Sequence, residues 1–272
     1  MLKTEMRNPK SMHIDKMTTG EMLKIFHEEN FNVVNAVGNC LESIEKAVDA
    51  TADAIGKGGR LICMGAGTSG RLGVIEATEC PPTFGVPLDT VIGIIAGGKE
   101  AVFKASENQE DNVVMGVDDL KNINLTGKDV VVGISAAGEA DYVIKALEYA
   151  KSLGCVTIGL TSNPGTLLDK TADISIVTDT GPEIITGSTR MKAGTAQKLV
   201  LNMITTCSMI KLGNVYENLM INLNATNKKL YKRMINIVCD IKNIPEKESE
   251  ELLVKADWNI KKALEIYDKM HN

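Results

Sequence analysis

The sequence contains no CxxC pair, and its three histidines, His13, His27 and His271, lie outside any metal-ligand spacing. Both absences speak against a zinc or redox-metal centre. The six cysteines, Cys40, Cys63, Cys80, Cys155, Cys207 and Cys239, are scattered, as expected of buried thiols in a reducing compartment. The N-terminal MLKTEMRNPK lacks the apolar core of a signal peptide. No later stretch approaches the roughly 18–20 apolar residues that a membrane helix requires. Basic residues are in deficit, 30 Lys+Arg against 35 Asp+Glu for a formal net charge of -5, which argues against a general nucleic-acid or anionic-membrane surface. Internal repeats and low-complexity segments are also missing. These absences predict a cytoplasmic protein with no metal, membrane or nucleic-acid partner.

What is present is an ordinary globular composition, 44% hydrophobic and 24% charged over 272 residues, enough for a substantial core. Short β-rich runs alternate with helical patterns: RLICM at 60–64, TVIGIIA at 90–96, DVVVGIS at 129–135, CVTIGLT at 155–161 and DISIV at 173–177. Continuously apolar strands separated by helices predict a parallel sheet covered on both faces. The class is therefore α/β, with a doubly wound, mainly parallel five-stranded sheet flanked by helices. Val143, Ala146, Leu147 and Ala150 form one helical stripe ahead of Gly154. Thr18 stands three residues before Glu21, the spacing of a capping box. Ala196, Leu199, Met203, Ile204, Cys207 and Ile210 mark a long helix that Gly213 ends. The expected division is an N-terminal helical segment over 1–56, the sheet domain over 57–234 and a small helical module over 235–272.

The strand at 60–64 runs directly into GAGTSGR at 65–71. Backbone amides, the hydroxyls of Thr68 and Ser69 and a helix N-terminus converge there, forming an anion cradle. Gly65, Gly67 and Gly70 also satisfy a GxGxxG spacing, so a dinucleotide site and a purely structural glycine turn are the alternatives. A dinucleotide site expects an acidic residue at the end of the second strand, but that strand ends IIAGG at 94–98. A Thr-Ser pair suits a terminal phosphate monoester, whose oxygens take hydroxyl as well as amide donors.

The longer run GAGTSGRLGVIEATECPPTFG at 65–85 closely resembles the signature of the N-acetylmuramic acid 6-phosphate etherases. The likeness extends through EMRNP at 5–9, IAGG at 95–98, ITGSTRMKAGTAQKLVLNM at 185–203 and NLMINLNATNKKL at 218–230. It implies a sugar isomerase (SIS) domain of flavodoxin-like topology, a homodimer, and a short ubiquitin-associated-like C-terminal module. It also implies a carbon-oxygen lyase of peptidoglycan recycling, which cleaves the lactyl ether of N-acetylmuramic acid 6-phosphate to N-acetylglucosamine 6-phosphate and D-lactate. The ligand would be a phosphorylated amino sugar, and no cofactor is needed.

Such chemistry asks for one carboxylate to remove the proton on carbon 2 of the opened sugar and one carboxylic acid to protonate the departing lactate oxygen. Glu79 precedes Cys80-Pro81-Pro82, which is expected to end its helix there, and the negative end of the helix dipole would favour an acid that keeps its proton. The resemblance gives Glu79 the acid role. It also singles out Glu110 in SENQEDN at 106–112 as the base, with Glu107 and Asp111 as neighbours in competition. Candidate phosphate or substrate contacts are Gly67, Thr68, Ser69 and Arg71 in the first loop, Ser135 in the second, and Ser188, Thr189, Arg190 and Lys192 in STRMKAGTAQK, where Lys198 adds a further cation. Lys229 in ATNKKL matches a family lysine that reaches a neighbouring subunit's site.

The second loop departs from the family. Etherases read AASGRTPY where this chain reads SAAGEADY at 135–142. Ala137 and Ala140 take the places of a serine and a threonine, Glu139 replaces an arginine and Asp141 a proline, while Ser135, an alanine in the etherases, matches the first serine of the Ser-x-Ser-Gly-x-Thr loop of the wider fold family. These changes predict weaker phosphate binding, and they keep open a second reading, a non-catalytic sugar-phosphate-binding regulatory protein. An aldose–ketose isomerase is a third.

Overall fold

Five strands form a parallel sheet: β1 (Leu61–Gly65), β2 (Val91–Ile95), β3 (Val130–Ile134), β4 (Val156–Thr161) and β5 (Ile174–Val177), in the order β2-β1-β3-β4-β5. The computed structural model describes residues 1–104, 109–223, 225 and 227–271. Every residue of β1 and of β3 is buried, as a sheet covered on both faces requires. In register, Leu61 lies beside Val91 on one side and Val130 on the other.

The helices are α1 (Thr19–Gly38), α2 (Leu41–Gly56), α3 (Gly67–Phe84), α4 (Glu100–Phe103), α5 (Met115–Asn122), α6 (Asp141–Ser152), α7 (Leu167–Thr171) and α8 (Lys192–Lys211). Thr18 and Glu21 form the expected capping box at the start of α1. In α6 the stripe of Val143, Ala146, Leu147 and Ala150 is completely buried, and Gly154 follows with φ of +87°. Alternation of strand and helix thus places the chain in the α/β class read from sequence.

One local expectation fails. The helix does not end at Cys80-Pro81-Pro82: α3 continues to Phe84 with both prolines inside it. Each proline lacks only its own N–H and holds φ near the helical value, so the carbonyls at 77 and 78 lose a backbone donor while the next turn still forms. Gly85 N–H reaches Pro81 O at 2.9 Å, and Gly85, at φ +66°, closes the helix.

The chain divides into two compact units, Met1–Ala77 with Asp89–Ser208, and Thr78–Leu88 with Met209–Asn272. The first holds the sheet. The second contains a hairpin, β6 (Val215–Tyr216) with β7 (Leu219–Met220), and three helices, α9 (Lys228–Lys242), α10 (Glu246–Lys255) and α11 (Ile260–His271). Its own core gathers Met234, Val238, Leu253, Ile260 and Ala263, and Tyr231 meets Trp258 edge to face.

Candidate active site

In a sheet of order 2-1-3-4-5, β1 and β3 lie side by side while their connections leave to opposite faces, which opens a crevice beyond their carboxyl ends. A cavity of about 420 Å³ occupies that place. Its walls are the loop after β1 with the start of α3 (Ala66, Gly67, Thr68, Ser69), the loop after β3 (Ser135, Ala136, Ala137, Ala140), Thr189 and Glu110.

The first wall is shaped by glycine. Gly67 adopts φ +53° to turn the chain into α3, a conformation that costs a side chain. A Cβ on Gly70 would stand 2.4 Å from Gly65 O, so only glycine lets α3 start this close to β1. The helix N-terminus therefore opens onto the cavity, and its amides and dipole favour an anion. In the second wall Ser135 Oγ accepts the Gly138 N–H at 3.1 Å, which leaves the hydroxyl hydrogen available. Ala137 and Ala140 present methyl groups where the sequence comparison noted missing hydroxyls. Glu139 does not line the cavity; its carboxylate accepts the Leu167 N–H at 3.3 Å at the start of α7.

Glu110 is exposed and held through its backbone: its carbonyl accepts the Tyr142 N–H at 2.9 Å. The first turn of α6 thereby fixes a residue that pattern alone reads as a solvated edge. Tyr142 is buried and its hydroxyl donates to Asp119 at 2.7 Å. Burial, followed by that carboxylate, pushes the phenol well above its ordinary range, so it stays neutral. Glu107, the competing carboxylate, lies outside the described residues.

Other candidates separate. Thr68 also lines a groove of about 250 Å³ with Leu72, Arg190, Gly194, Thr195, Lys198 and Leu199. Arg190 and Lys198 thus stand next to the cavity wall, and Ser188 is half-buried in the turn before α8.

Two cations expected at the ligand are engaged elsewhere. Arg71 donates to Val102 O at 2.9 Å and Ala101 O at 2.8 Å, binding the carbonyl end of α4, where a cation is favourable. Lys192 is 1% exposed and forms a 2.5 Å ion pair with Glu29 of α1. Glu29 also takes Asn8 Nδ2 at 2.8 Å and Lys10 at 3.0 Å. Burial works against its ionisation, but the bonds from Lys192, Lys10 and Asn8 outweigh it and bring the carboxyl to about 2. Beside it Glu183 accepts the N–H groups of Lys192 and Ala193 at 3.0 and 2.9 Å, capping α8. Burial raises the Glu183 carboxyl above its usual value. Lys192 and the EMRNP segment therefore build the scaffold.

Glu79 is exposed on α3, more than a turn before its end, and belongs to the second compact unit. It is not at the helix terminus where its dipole environment was expected. Lys229 is exposed near the start of α9, also in the second unit. Pattern reading missed the Tyr142 amide and Gln197, whose Oε1 accepts the Ser69 hydroxyl at 3.0 Å. The first acts by its backbone and carries no side-chain signal, while Gln197 stands in the STRMKAGTAQK run itself, where the cations and hydroxyls drew the reading. Among the described residues no cluster of three or more His, Cys, Asp or Glu is placed to hold a metal, and no helix is long and apolar enough to cross a membrane.

Comparison with known proteins extends this geometry. The family model of the N-terminal SIS domain of glucokinase regulatory protein matches residues 41–151, the SIS domain model 111–207, and the C-terminal lid domain of glucokinase regulatory protein 217–271. The N-acetylmuramic acid 6-phosphate etherase of Pasteurella multocida is 51% identical over 263 residues, covering 97% of this chain and 87% of that protein. Its counterpart in Clostridium beijerinckii is 52% identical, covering 97% and 86%. Among solved structures, a phosphoheptose isomerase from Neisseria gonorrhoeae superposes with a TM-score of 0.54 at 17% identity, over 70% of this chain and 98% of that one. A phosphoheptose isomerase from Francisella tularensis gives 0.52 at 17%, over 71% and 100%. These two share the fold.

Proposed function

The chain belongs to the N-acetylmuramic acid 6-phosphate etherase family, and from that premise we infer that it cleaves the D-lactyl ether of N-acetylmuramic acid 6-phosphate, giving N-acetylglucosamine 6-phosphate and D-lactate. The observation that carries this reading is identity of about half the residues over 97% of the chain to curated etherases. The regulatory alternative has no comparable support.

An alkyl ether resists direct hydrolysis, so the sugar must first open to its aldehyde, which acidifies the hydrogen on carbon 2. Glu110, at the cavity wall, is the proposed base. It removes that proton, the C2–C3 double bond forms, and the C3–O bond breaks as lactate leaves. Glu79 is the proposed acid that protonates the lactate oxygen and then assists water in adding to carbon 3. Water is consumed once, and no electron acceptor is needed.

The 6-phosphate is assigned to the cradle of Gly67, Thr68, Ser69, Ser135 and Thr189, where amides and hydroxyls supply hydrogen bonds and no cation stands among the described wall residues. Arg190 and Lys198, with Ser188 before them, face the adjoining groove. They are assigned to the lactyl carboxylate, the second negative charge of this substrate. Lys192 and Arg71, being engaged in the scaffold, take no part.

We further propose a cytoplasmic homodimer, with Lys229 directed to a neighbouring protomer's site. Its support on the molecule is the α1 face of Leu23, Phe31 and Val34, which are 64%, 58% and 62% exposed. The direct test is incubation with N-acetylmuramic acid 6-phosphate and enzymatic measurement of D-lactate. Lactate must appear in step with N-acetylglucosamine 6-phosphate; binding without lactate would revive the regulatory alternative.

A further inference from the structure

Gln197 faces inward from α8 and is 1% exposed. Its Oε1 accepts the hydroxyl hydrogen of Ser69, while its Nε2 has no hydrogen-bond partner among the described residues. A buried amide nitrogen with its donors unspent is uncommon, because it has given up water without replacement. Ser69 is 8% exposed and forms part of the cavity wall at the start of α3.

A serine hydroxyl has one hydrogen and two lone pairs. While that hydrogen is given to Gln197, Ser69 turns only lone pairs toward the cavity, the wrong polarity for a phosphate dianion. A half-turn of the amide about its last torsion exchanges oxygen and nitrogen with almost no change of shape. Nε2 then donates to Ser69 Oγ, and the hydroxyl hydrogen is released toward the cavity. Each orientation leaves one amide atom without a bond, so neither is strongly favoured when the cavity is empty. An anion decides between them.

We propose that Gln197 is a positioning residue of the phosphate cradle: its buried amide turns over when a phosphate monoester enters, converting Ser69 from a donor toward Gln197 into a donor toward the phosphate. This rests on the phosphosugar reading of the cavity.

The experiment is a double-variant cycle read by calorimetry with N-acetylglucosamine 6-phosphate and, separately, inorganic phosphate. Gln197→Met keeps the volume and removes both amide functions. It should weaken binding about five-fold in the Ser69 protein, the order of one neutral hydrogen bond, and less than about two-fold in a Ser69→Ala background, where nothing is left to orient. Gln197→Glu, measured at alkaline pH where its carboxyl is ionised, offers only acceptors and holds the serine hydrogen away, so its loss with Ser69 present should exceed that of Gln197→Met by about ten-fold. Equal losses from Gln197→Met with and without Ser69 would overturn the proposal, since a packing role acts regardless of the serine. Gln197→Glu no worse than Gln197→Met would overturn it too. If Gln197→Glu does not fold, the methionine cycle alone decides. A parent protein that binds phosphate yet releases no lactate refutes the etherase reading and leaves this cycle intact. A parent that binds neither probe refutes both.

Discussion

Glu110 and Lys192 show how differently two charged residues in polar segments can be placed. Glu110 reaches the cavity because its carbonyl accepts the Tyr142 N–H, a backbone relation with no sequence signal; only family resemblance marked it. We expect Glu110→Gln to suppress solvent-deuterium exchange at carbon 2 of N-acetylglucosamine 6-phosphate by at least about a hundredfold, the usual scale of a lost general base, with phosphosugar affinity kept within severalfold. Undiminished exchange, followed by mass spectrometry, places the base elsewhere. Lys192 looked like its neighbour Arg190, one more cation in STRMK. Its partner Glu29 lies 163 positions away in sequence, beyond any local pattern. The second loop was more legible: Ala137 and Ala140 do line the cavity, and Glu139 is turned aside to α7. Hydrogen bonds to charged groups contribute about 1.5–3 kcal/mol each, so Ala137→Ser with Ala140→Thr should raise kcat/KM for N-acetylmuramic acid 6-phosphate at least about tenfold. No gain would mean that the loop does not touch the phosphate.

Elements were read best where burial is uniform. Each of the five apolar runs became a strand, with ends shifted by one residue at most positions, because a strand buried on both faces must be apolar throughout. The end of α3 was misread because a proline pair usually stops a helix, whereas Phe84, 6% exposed, is buried in the turn that follows. The tie between α1 and α8 was invisible in sequence and has a measurable energetic signature. Glu29→Gln leaves the Lys192 ammonium buried without a charge partner, which should cost about 3–5 kcal/mol, seen as a lower urea midpoint. Adding Lys192→Met should restore much of the loss. The pH sign follows from the carboxyl held at about 2 against an ordinary 4.5. The folded state keeps Glu29 ionised more readily than the unfolded chain, so its contribution is complete above about pH 4.5 and fades as pH falls toward 2. Glu183, raised by burial, acts in the opposite direction. The difference between parent and Glu29→Gln therefore isolates Glu29, and it should shrink across that window. A constant difference would assign the effect to packing.

At the scale of the whole molecule, surplus apolar surface is the sign of assembly. Of the α8 stripe Ala196, Leu199, Met203, Ile204, Cys207 and Ile210, Ala196 and Ile204 are fully buried within their own chain while Ile210 is 48% exposed, and Ser208 Oγ donates to Val48 O of α2 at 3.2 Å. Sequence periodicity identifies an apolar face but not the neighbour that covers it. An uncovered face lies on α1, where Leu23, His27, Phe31 and Val34 recur at spacings of four, four and three residues, one side of a helix. His27 and Phe31 meet edge to face at 5.2 Å, which stiffens the middle of the stripe. Large exposed apolar groups aligned along one helix mark an interaction surface. Two identical copies laid across a two-fold axis cover both stripes at once, whereas a head-to-tail contact leaves one stripe open and continues into a filament. The expected species is therefore a closed dimer, observable by sedimentation equilibrium at micromolar concentration. Phe31→Asp places a charge at the centre of that face and should shift the protein to monomer with unchanged helical circular dichroism, because the side chain is not part of the folded core. A parent that sediments as a monomer removes the dimer, and a dimer indifferent to Phe31→Asp moves the interface away from α1.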